Sequence, residues 1–102
     1  MDPRSPDEAA SEMRTALVVD DQDQVRAMLK MVMEALGFAV DVAGSGEEAL
    51  PFLDGGHYDA VLCDLMMPSM SGHDLFNVCQ QQNPEVASRF VFVSGSPNGG
   101  AS

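Results

Sequence analysis

Four short apolar segments recur along the chain, at residues 15–19, 38–42, 60–63 and 90–93. Three of them are almost continuously apolar, which is typical of strands buried on both faces of a parallel sheet. The segment 38–42 instead alternates apolar residues with Ala and Asp. This alternation favours a strand with one apolar face, at or near an edge of the sheet.

Longer segments that carry helical periodicity separate the four predicted strands. The first is expected to end at Gly37, and the second to run from Ser45 to about residue 54. The third is expected from about 71 to 82, where Asn83-Pro84 ends it. In the first helix, five apolar residues recur at helical spacing: Val25, Met28, Leu29, Val32 and Leu36.

The alternation of strands and helices with short connections predicts a single α/β domain. Its strands should be parallel and joined by right-handed crossovers. A chain of 102 residues with 45% hydrophobic residues is long enough and apolar enough to form one such core.

Two predicted helix starts have residue pairs that are typical of capping boxes. Asp21 with Gln24 predicts the first start, and Ser45 with Glu48 predicts the second. Pro51 falls inside the second helix, where its ring clashes with the preceding turn. This helix is therefore expected to be kinked or to start late.

The charge of the chain is strongly acidic, with 16 Asp and Glu against five Lys and Arg and a formal net charge of -11. Direct binding of nucleic acid needs a basic surface, so the sequence argues against it. The acidic balance favours cationic partners or metal ions.

The two cysteines, Cys63 and Cys79, lie within apolar segments and lack metal-ligand spacing. They are interpreted as reduced core residues of a cytoplasmic protein. The sequence shows no apolar run of signal-peptide or membrane-spanning length, so no membrane association is expected.

Three carboxylates fall where predicted strands end. Asp20 and Asp21 follow the first strand, and Asp64 follows the third. If the strand order is 2-1-3-4, the first and third strands are neighbours and these acids converge at the switch point of the sheet. A hard divalent cation would relieve their repulsion, and Mg²⁺ binds through such carboxylates. One carboxylate can then attack a phosphorus centre and become an aspartyl phosphate.

On these residues the chain resembles the receiver domain of two-component response regulators. The matching segments are Leu-Val-Val-Asp-Asp at 17–21, Asp-Leu-Met-Met-Pro at 64–68 followed by Ser71-Gly72, and Ser94 after the fourth strand. The resemblance implies a flavodoxin-like, CheY-like parallel sheet of order 2-1-3-4 with helices on both faces.

The resemblance also implies a role for each matching residue. Asp64 would be the phosphoacceptor, and a histidine kinase or a phosphotransfer protein would supply the phosphoryl group. Asp20, Asp21, Asp64 and the backbone carbonyl of Met66 would bind Mg²⁺. Ser94 would supply the switch hydroxyl that hydrogen-bonds the phosphoryl group. Such a domain is a signalling domain and not an enzyme beyond its own phosphotransfer.

The match ends after the fourth strand, so the receiver is expected to be truncated. The sequence predicts a flexible tail at 1–14, the receiver at 15–95 and a second flexible tail at 96–102. The family's fourth helix, fifth strand and fifth helix are not matched, nor is the lysine after that strand. The single lysine, Lys30, lies on the first helix and is too early in the chain for that role.

Two alternatives to a signalling receiver stay open from the sequence. One is a phosphorylation-independent interaction module, and the other is a fragment of a longer response regulator or hybrid kinase. Phosphatases with an Asp-x-Asp nucleophile motif are disfavoured because Met66 stands two residues after Asp64.

The unmatched C-terminal portion also predicts self-association. The fourth strand, at 90–93, is apolar on both faces, and a bare edge there would invite strand addition. A homodimer through the fourth-strand edge and the uncovered sheet face is therefore expected.

Overall fold

The computed structural model describes residues 14–93 of the chain. Ser94 and nearly all of the predicted tails, 1–14 and 96–102, lie outside these residues. The helices and strands follow the predicted alternation, with one additional short helix. They are β1 (Thr15–Val19), α1 (Asp23–Ala35), β2 (Ala39–Ala43), α2 (Gly46–Leu53), β3 (Ala60–Asp64), α3 (Gly72–Gln82), α4 (Pro84–Ala87) and β4 (Phe90–Val93).

The four strands form one parallel sheet in the order β2-β1-β3-β4, which confirms the predicted order. β1 and β3 are therefore neighbours, with Val19 paired to Cys63 in the register. The edge position of β2 is confirmed as well. The carboxyl ends of β1 and β3 meet at one edge of the sheet, which places the residues that follow them side by side.

One face of the sheet holds the main hydrophobic core. Leu17 of β1 and Val61 of β3 are both fully buried there, in a cluster that includes Leu53 of α2 and Leu75 of α3. Phe76 of α3 contacts the two phenylalanines of β4 edge to face. The helices α2 and α3 therefore cover this face across β1, β3 and β4.

The opposite face of the sheet is covered by α1 over β1 and β2. The register aligns four apolar side chains across this face, and their burial differs: Val42, Val18, Leu62 and Val91. Val18 is fully buried, whereas Val91 on β4 is 53% exposed. Within residues 14–93, α1 thus leaves the β3 and β4 half of this face open.

The predicted apolar stripe of α1 is only partly buried. Val25 and Leu29 are half-buried, and Met33 on the same side is buried. Met28 and Val32, on the other flank of the stripe, are 54% and 50% exposed. Leu36, the fifth predicted position, is exposed at the C-cap.

The helix starts correct one predicted capping box and confirm only the Ser45 cap of the other. α1 begins at Asp23 after Gln22, which makes no side-chain cap, so the predicted Asp21 capping box is wrong. Ser45 does cap α2 by accepting a hydrogen bond from the Glu48 amide at 3.0 Å. The Glu48 carboxylate accepts from the Gly44 amide instead of completing the predicted box.

α2 begins at Gly46 and contains Pro51, so it does not start late. α3 ends at Gln82 before Asn83-Pro84, as predicted. Pro84 then opens the additional helix α4, whose Val86 and Ala87 are buried in the core. Asn83 joins α3 to α4 and donates hydrogen bonds to the carbonyl of Leu53, at the end of α2, and to that of Gly56 in the loop after it.

Within residues 14–93, no helix combines the length and apolar character needed to cross a membrane.

The start of α3 lies tightly against the end of β3. Gly72 donates a backbone hydrogen bond to the Leu65 carbonyl at 3.0 Å, and a Cβ at Gly72 would overlap the carbonyl oxygen of Asp64. Ser71 and Asp74 form a reciprocal capping box at the same turn. These contacts fix the loop that follows Asp64 at both of its ends.

We expect Gly72→Ala to lower the free energy of unfolding by about 1–3 kcal/mol, because the added methyl group meets backbone that cannot rotate away. Ser71→Ala, which removes only the helix cap, should cost about 1 kcal/mol. Urea unfolding followed by circular dichroism measures both changes. A Gly72→Ala protein as stable as the wild type would contradict this account of the turn.

Candidate metal centre

Three carboxylates converge at the carboxyl edge of the sheet, as the sequence predicts. Asp20, Asp21 and Asp64 each place one carboxylate oxygen so that all three oxygens lie within 4.8 Å of one another. Asp20 is fully buried and Asp64 is 4% exposed, whereas Asp21 is more accessible. Like charges at this spacing repel strongly when they are shielded from water.

Asp20 uses nearly all of its hydrogen-bonding capacity within the protein. Its amide donates to the Ala43 carbonyl at 3.1 Å, and its own carbonyl accepts from Arg26 at 2.8 Å. Its Oδ1 accepts from the Gln22 amide at 2.9 Å. Its Oδ2 is buried and has no hydrogen-bond partner among the described residues.

The electrostatic surroundings of Asp20 disfavour its ionised form. Burial raises the pKa of Asp20 above its ordinary value, and the charges of Asp64 and Asp21 act in the same direction. The hydrogen bond from the Gln22 amide and the charge of Arg26 act against this rise. Ionised Asp20 is therefore costly in this site unless a cation lies close to it.

The residues present fit a hard divalent cation such as Mg²⁺. Buried polar atoms are almost always satisfied, so the unpaired Asp20 Oδ2 indicates a ligand position. Carboxylate oxygens are the ligands that Mg²⁺ prefers, and it commonly retains several waters. The exposure of Asp21 leaves one side of the cluster open to such waters.

The loop after Asp64 orients its carboxylate. Asp64 Oδ1 accepts from the Met66 amide at 3.2 Å, while the Met66 side chain is 77% exposed. Further along, Ser69 adopts a left-handed φ of 70°. Met70 then packs against Gly46, where a Cβ would lie 2.7 Å from the Met70 sulfur. The loop is thus held to the start of α2 as well as to α3.

The thiol beside the candidate site is not a competing nucleophile. Burial raises the pKa of Cys63 to about 12, and the charges of Asp64 and Asp20 add to this effect. The thiol therefore stays protonated at neutral pH, and only the thiolate is strongly nucleophilic.

The described residues do not test the two remaining predicted site features, the Ser94 hydroxyl and the Met66 carbonyl. Ser94 lies outside the described residues, so its switch role stays a prediction, as does metal binding by the Met66 carbonyl. The last described residue, Val93, pairs with Asp64 in the register. Lys30 pairs with Glu34 at 2.7 Å on the surface of α1.

Arg26, which no sequence motif singles out, contacts the acidic cluster through the Asp20 carbonyl. The signal available in the sequence was weak: a basic residue in the first turn of the helix that follows an acidic strand end. Such a residue is usually interpreted as a partner of the exposed acid three positions before it, here Asp23.

Comparison with known proteins gives consistent similarities. Residues 16–98 match the sequence profile of the response regulator receiver domain. The chain is 37% identical over 83 residues to the sensor kinase CckA of Brucella abortus, covering 79% of this chain and 9% of CckA. It is 37% identical over 78 residues to the transcriptional regulatory protein ResD of Bacillus subtilis, covering 76% of this chain and 31% of ResD. The chain thus spans less than a third of either curated relative.

Solved structures share the fold. The response regulator TrrA of Thermotoga maritima, in complex with Mg²⁺-BeF, superposes with a TM-score of 0.75 at 30% identity, covering 84% of this chain and 73% of that one. A complex of the histidine kinase ThkA with TrrA matches with a TM-score of 0.73 at 31% identity, covering 81% of this chain and 70% of that one.

We expect Asp20→Asn to raise the melting temperature in the absence of divalent ions. The amide keeps an oxygen to accept from the Gln22 amide and removes a buried charge. With millimolar Mg²⁺ the wild type should gain stability through binding, and the variant should gain much less. Differential scanning calorimetry with and without EDTA measures both effects.

The difference in stability between Asp20→Asn and the wild type should also depend on pH, in a direction that the raised pKa of Asp20 determines. Because the pKa of Asp20 is raised in the folded state, its protonation favours folding below the ordinary value of 3.8, and this contribution is lost as the pH rises through the raised pKa. The advantage of Asp20→Asn should therefore widen toward neutral pH. Asp54→Asn, at the exposed C-cap of α2, should stay within about 0.5 kcal/mol of wild type. A destabilised Asp20→Asn protein in EDTA would contradict the account.

Proposed function

Because the chain belongs to the response regulator receiver domain family of two-component signalling, we propose that it accepts a phosphoryl group on Asp64 in the presence of Mg²⁺. The donor is a histidine kinase or a phosphotransfer protein. The observation that carries this proposal is the convergence of Asp20, Asp21 and Asp64 around the unpaired Asp20 Oδ2. The two buried free thiols favour a reducing, cytoplasmic setting.

The proposed reaction uses the chain's own groups in a simple displacement. The Met66 amide holds Asp64 Oδ1, and the other carboxylate oxygen attacks the phosphorus. The bond between phosphorus and the donor histidine nitrogen breaks as the new oxygen–phosphorus bond forms, and the electron pair returns to that nitrogen. Mg²⁺ bound by the three aspartates and the Met66 carbonyl would offset negative charge on the phosphoryl oxygens. The Ser94 hydroxyl would donate a hydrogen bond to one of these oxygens.

Labelling of Asp64 tests the proposal. Incubation with acetyl phosphate and Mg²⁺ should add the mass of one phosphoryl group to the intact protein, and Asp64→Asn should abolish this addition. EDTA should prevent labelling of the wild type. Asp54→Asn removes an exposed carboxylate at the far end of α2 and should label normally.

No added mass on the wild type, under conditions that label an ordinary receiver, would contradict the proposed function. If the chain is instead a phosphorylation-independent interaction module, Asp64→Asn should leave its partner binding unchanged. A receiver within a longer response regulator or hybrid kinase would label in the same way as this chain. Labelling therefore separates signalling from scaffolding for either length of protein.

We also propose that two copies of the chain pair through the β4 edge and the uncovered sheet face. Val91 and Leu62 lie side by side on the open half of this face, and Met28 and Val32 are exposed on one flank of α1. Arg26, on the opposite flank of α1, lies against Gly44, which follows the edge strand β2. The flank that carries Met28 and Val32 therefore faces away from β2, toward β3. These four residues include no carboxylate, so two acidic chains can meet here without opposing charges.

The energy of pairing comes from this apolar surface and the strand edge. Full burial of a Val or Met side chain contributes about 1.5–3 kcal/mol. The outer edge of β4 pairs with no strand among residues 14–93. A two-fold axis beside β4 would bury both features on both copies.

Size-exclusion chromatography with light scattering tests the pairing. The wild type should have the mass of a dimer at micromolar concentration, and Val91→Asp should shift it to a monomer because two charges would enter the interface. Gln80→Asp, on the exposed face of α3, provides the control for added charge. A folded wild-type monomer at the same concentration would contradict the pairing.

A further inference from the structure

Arg26 links two loops at the edge of the sheet. Its Nη1 donates to the Asp20 carbonyl at 2.8 Å, and its Nη2 donates to the Asp23 carboxylate. The same guanidinium lies against Gly44, where a Cβ would stand 3.3 Å from Nη1. The side chain is 22% exposed although it carries a charge. One planar group therefore connects the loop after β1 with the loop after β2.

These contacts act on the peptide group that joins Asp20 to Asp21. The Asp20 amide is fixed by the Ala43 carbonyl, and the Asp20 carbonyl is fixed by Arg26. Since a peptide group is planar, holding this carbonyl sets the direction in which the chain leaves toward Asp21. With Asp20 Oδ1 already bonded to the Gln22 amide, only Oδ2 remains to face the cluster.

We propose that Arg26 is a positioning residue for the metal centre, which holds the Asp20–Asp21 peptide so that both carboxylates face Asp64. This inference rests on the proposed function and adds a residue that acts through the metal ligands. Arg26 does not contact the transferred group.

The charge of Arg26 and its geometry have opposite effects on a bound cation. A positive group near the site repels Mg²⁺, so loss of the charge alone should tighten binding. Loss of the hydrogen bond to the Asp20 carbonyl should weaken binding, because the ligands are then less well oriented. The sign of the change in affinity therefore distinguishes positioning from simple electrostatics.

Lysine is a suitable partial replacement because it retains the charge without the geometry. Its ammonium group is a point charge on a flexible stem, whereas the planar guanidinium fork bonds two acceptors at once. Arg26→Lys therefore keeps the repulsion of the cation and loses the bridge from the Asp20 carbonyl to Asp23. Arg26→Gln loses both the charge and the bridge.

Isothermal titration calorimetry with Mg²⁺ alone tests the inference. Arg26→Lys and Arg26→Gln should both weaken Mg²⁺ binding by about tenfold or more, as loss of groups that orient metal ligands does. Lys30→Gln removes a positive charge one turn further along α1, where Lys30 pairs with Glu34, and should change the affinity by no more than about twofold. Circular dichroism establishes that each variant is folded, and Arg26→Lys decides the question if Arg26→Gln does not fold.

The Mg²⁺ dependence of Asp64 labelling supplies a second readout that a merely structural role would not move. Both Arg26 variants should need more Mg²⁺ for half-maximal labelling and should reach the wild-type rate at saturation. A reduced rate at every Mg²⁺ concentration with unchanged affinity would overturn the inference. So would Arg26→Gln binding Mg²⁺ as tightly as wild type or more tightly, or Arg26→Lys binding it equally well.

The inference and the proposed function fail separately. A wild-type protein that binds Mg²⁺ but is not labelled contradicts phosphotransfer, and the calorimetry still decides the role of Arg26. A labelled wild type with unchanged Arg26 variants overturns only the inference. A wild type that takes up no Mg²⁺ overturns the metal centre and, with it, the role of Arg26.

Discussion

The structure depends on one costly arrangement, in which two carboxylates are buried at the ends of adjacent parallel strands. Asp20 and Asp64 lie within a few ångströms of each other, shielded from water, and Asp21 adds a third charge beside them. The surrounding backbone and the Arg26 side chain satisfy Asp20 at every polar atom except Oδ2. The sheet therefore accepts an unfavourable charge cluster and leaves one oxygen available to a ligand, which is the usual trade of stability for function.

Burial of β1 on both faces, and of β3 on the face that holds the core, makes this arrangement possible. The strands Thr15–Val19 and Ala60–Asp64 are apolar enough to be central, and their shared register brings Val19 beside Cys63. A displacement of either strand by one residue would exchange the side chains packed on its two faces and shift its acid along the edge of the sheet. The hydrophobic core thus fixes the distance between the acids.

The central and edge strands were predictable because they depend on local patterns, whereas the strand order, and with it the convergence of the three aspartates, was expected from the resemblance to receiver domains. Continuous apolar runs identify central strands, and carboxyl ends of parallel strands lie at one edge. The predictions that failed or were missed depend on which of several competing contacts forms, some of them between distant segments. Asp21 does not cap α1, because Asp20 accepts from the Gln22 amide instead. Arg26 is recognisable only once Gly44 is seen beside it, and α4 only once Val86 is seen in the core.

The loop between Asp64 and α3 has a consequence for how such a domain diversifies. Its two ends are fixed by the Met66 amide at Asp64 and by Gly72 beneath the Asp64 carbonyl, so the number of residues between them is constrained. The side chains of Met66, Pro68 and Ser69 are nevertheless exposed, beside the carboxylate but outside the packed core. Insertions and deletions should therefore be rare in this loop during evolution, and substitutions should accumulate chiefly at Met66, because Ser69 has a left-handed φ and Pro68 belongs to the segment shared with receiver domains. Two descendants of one ancestor can in this way come to recognise different donors while retaining the same chemistry.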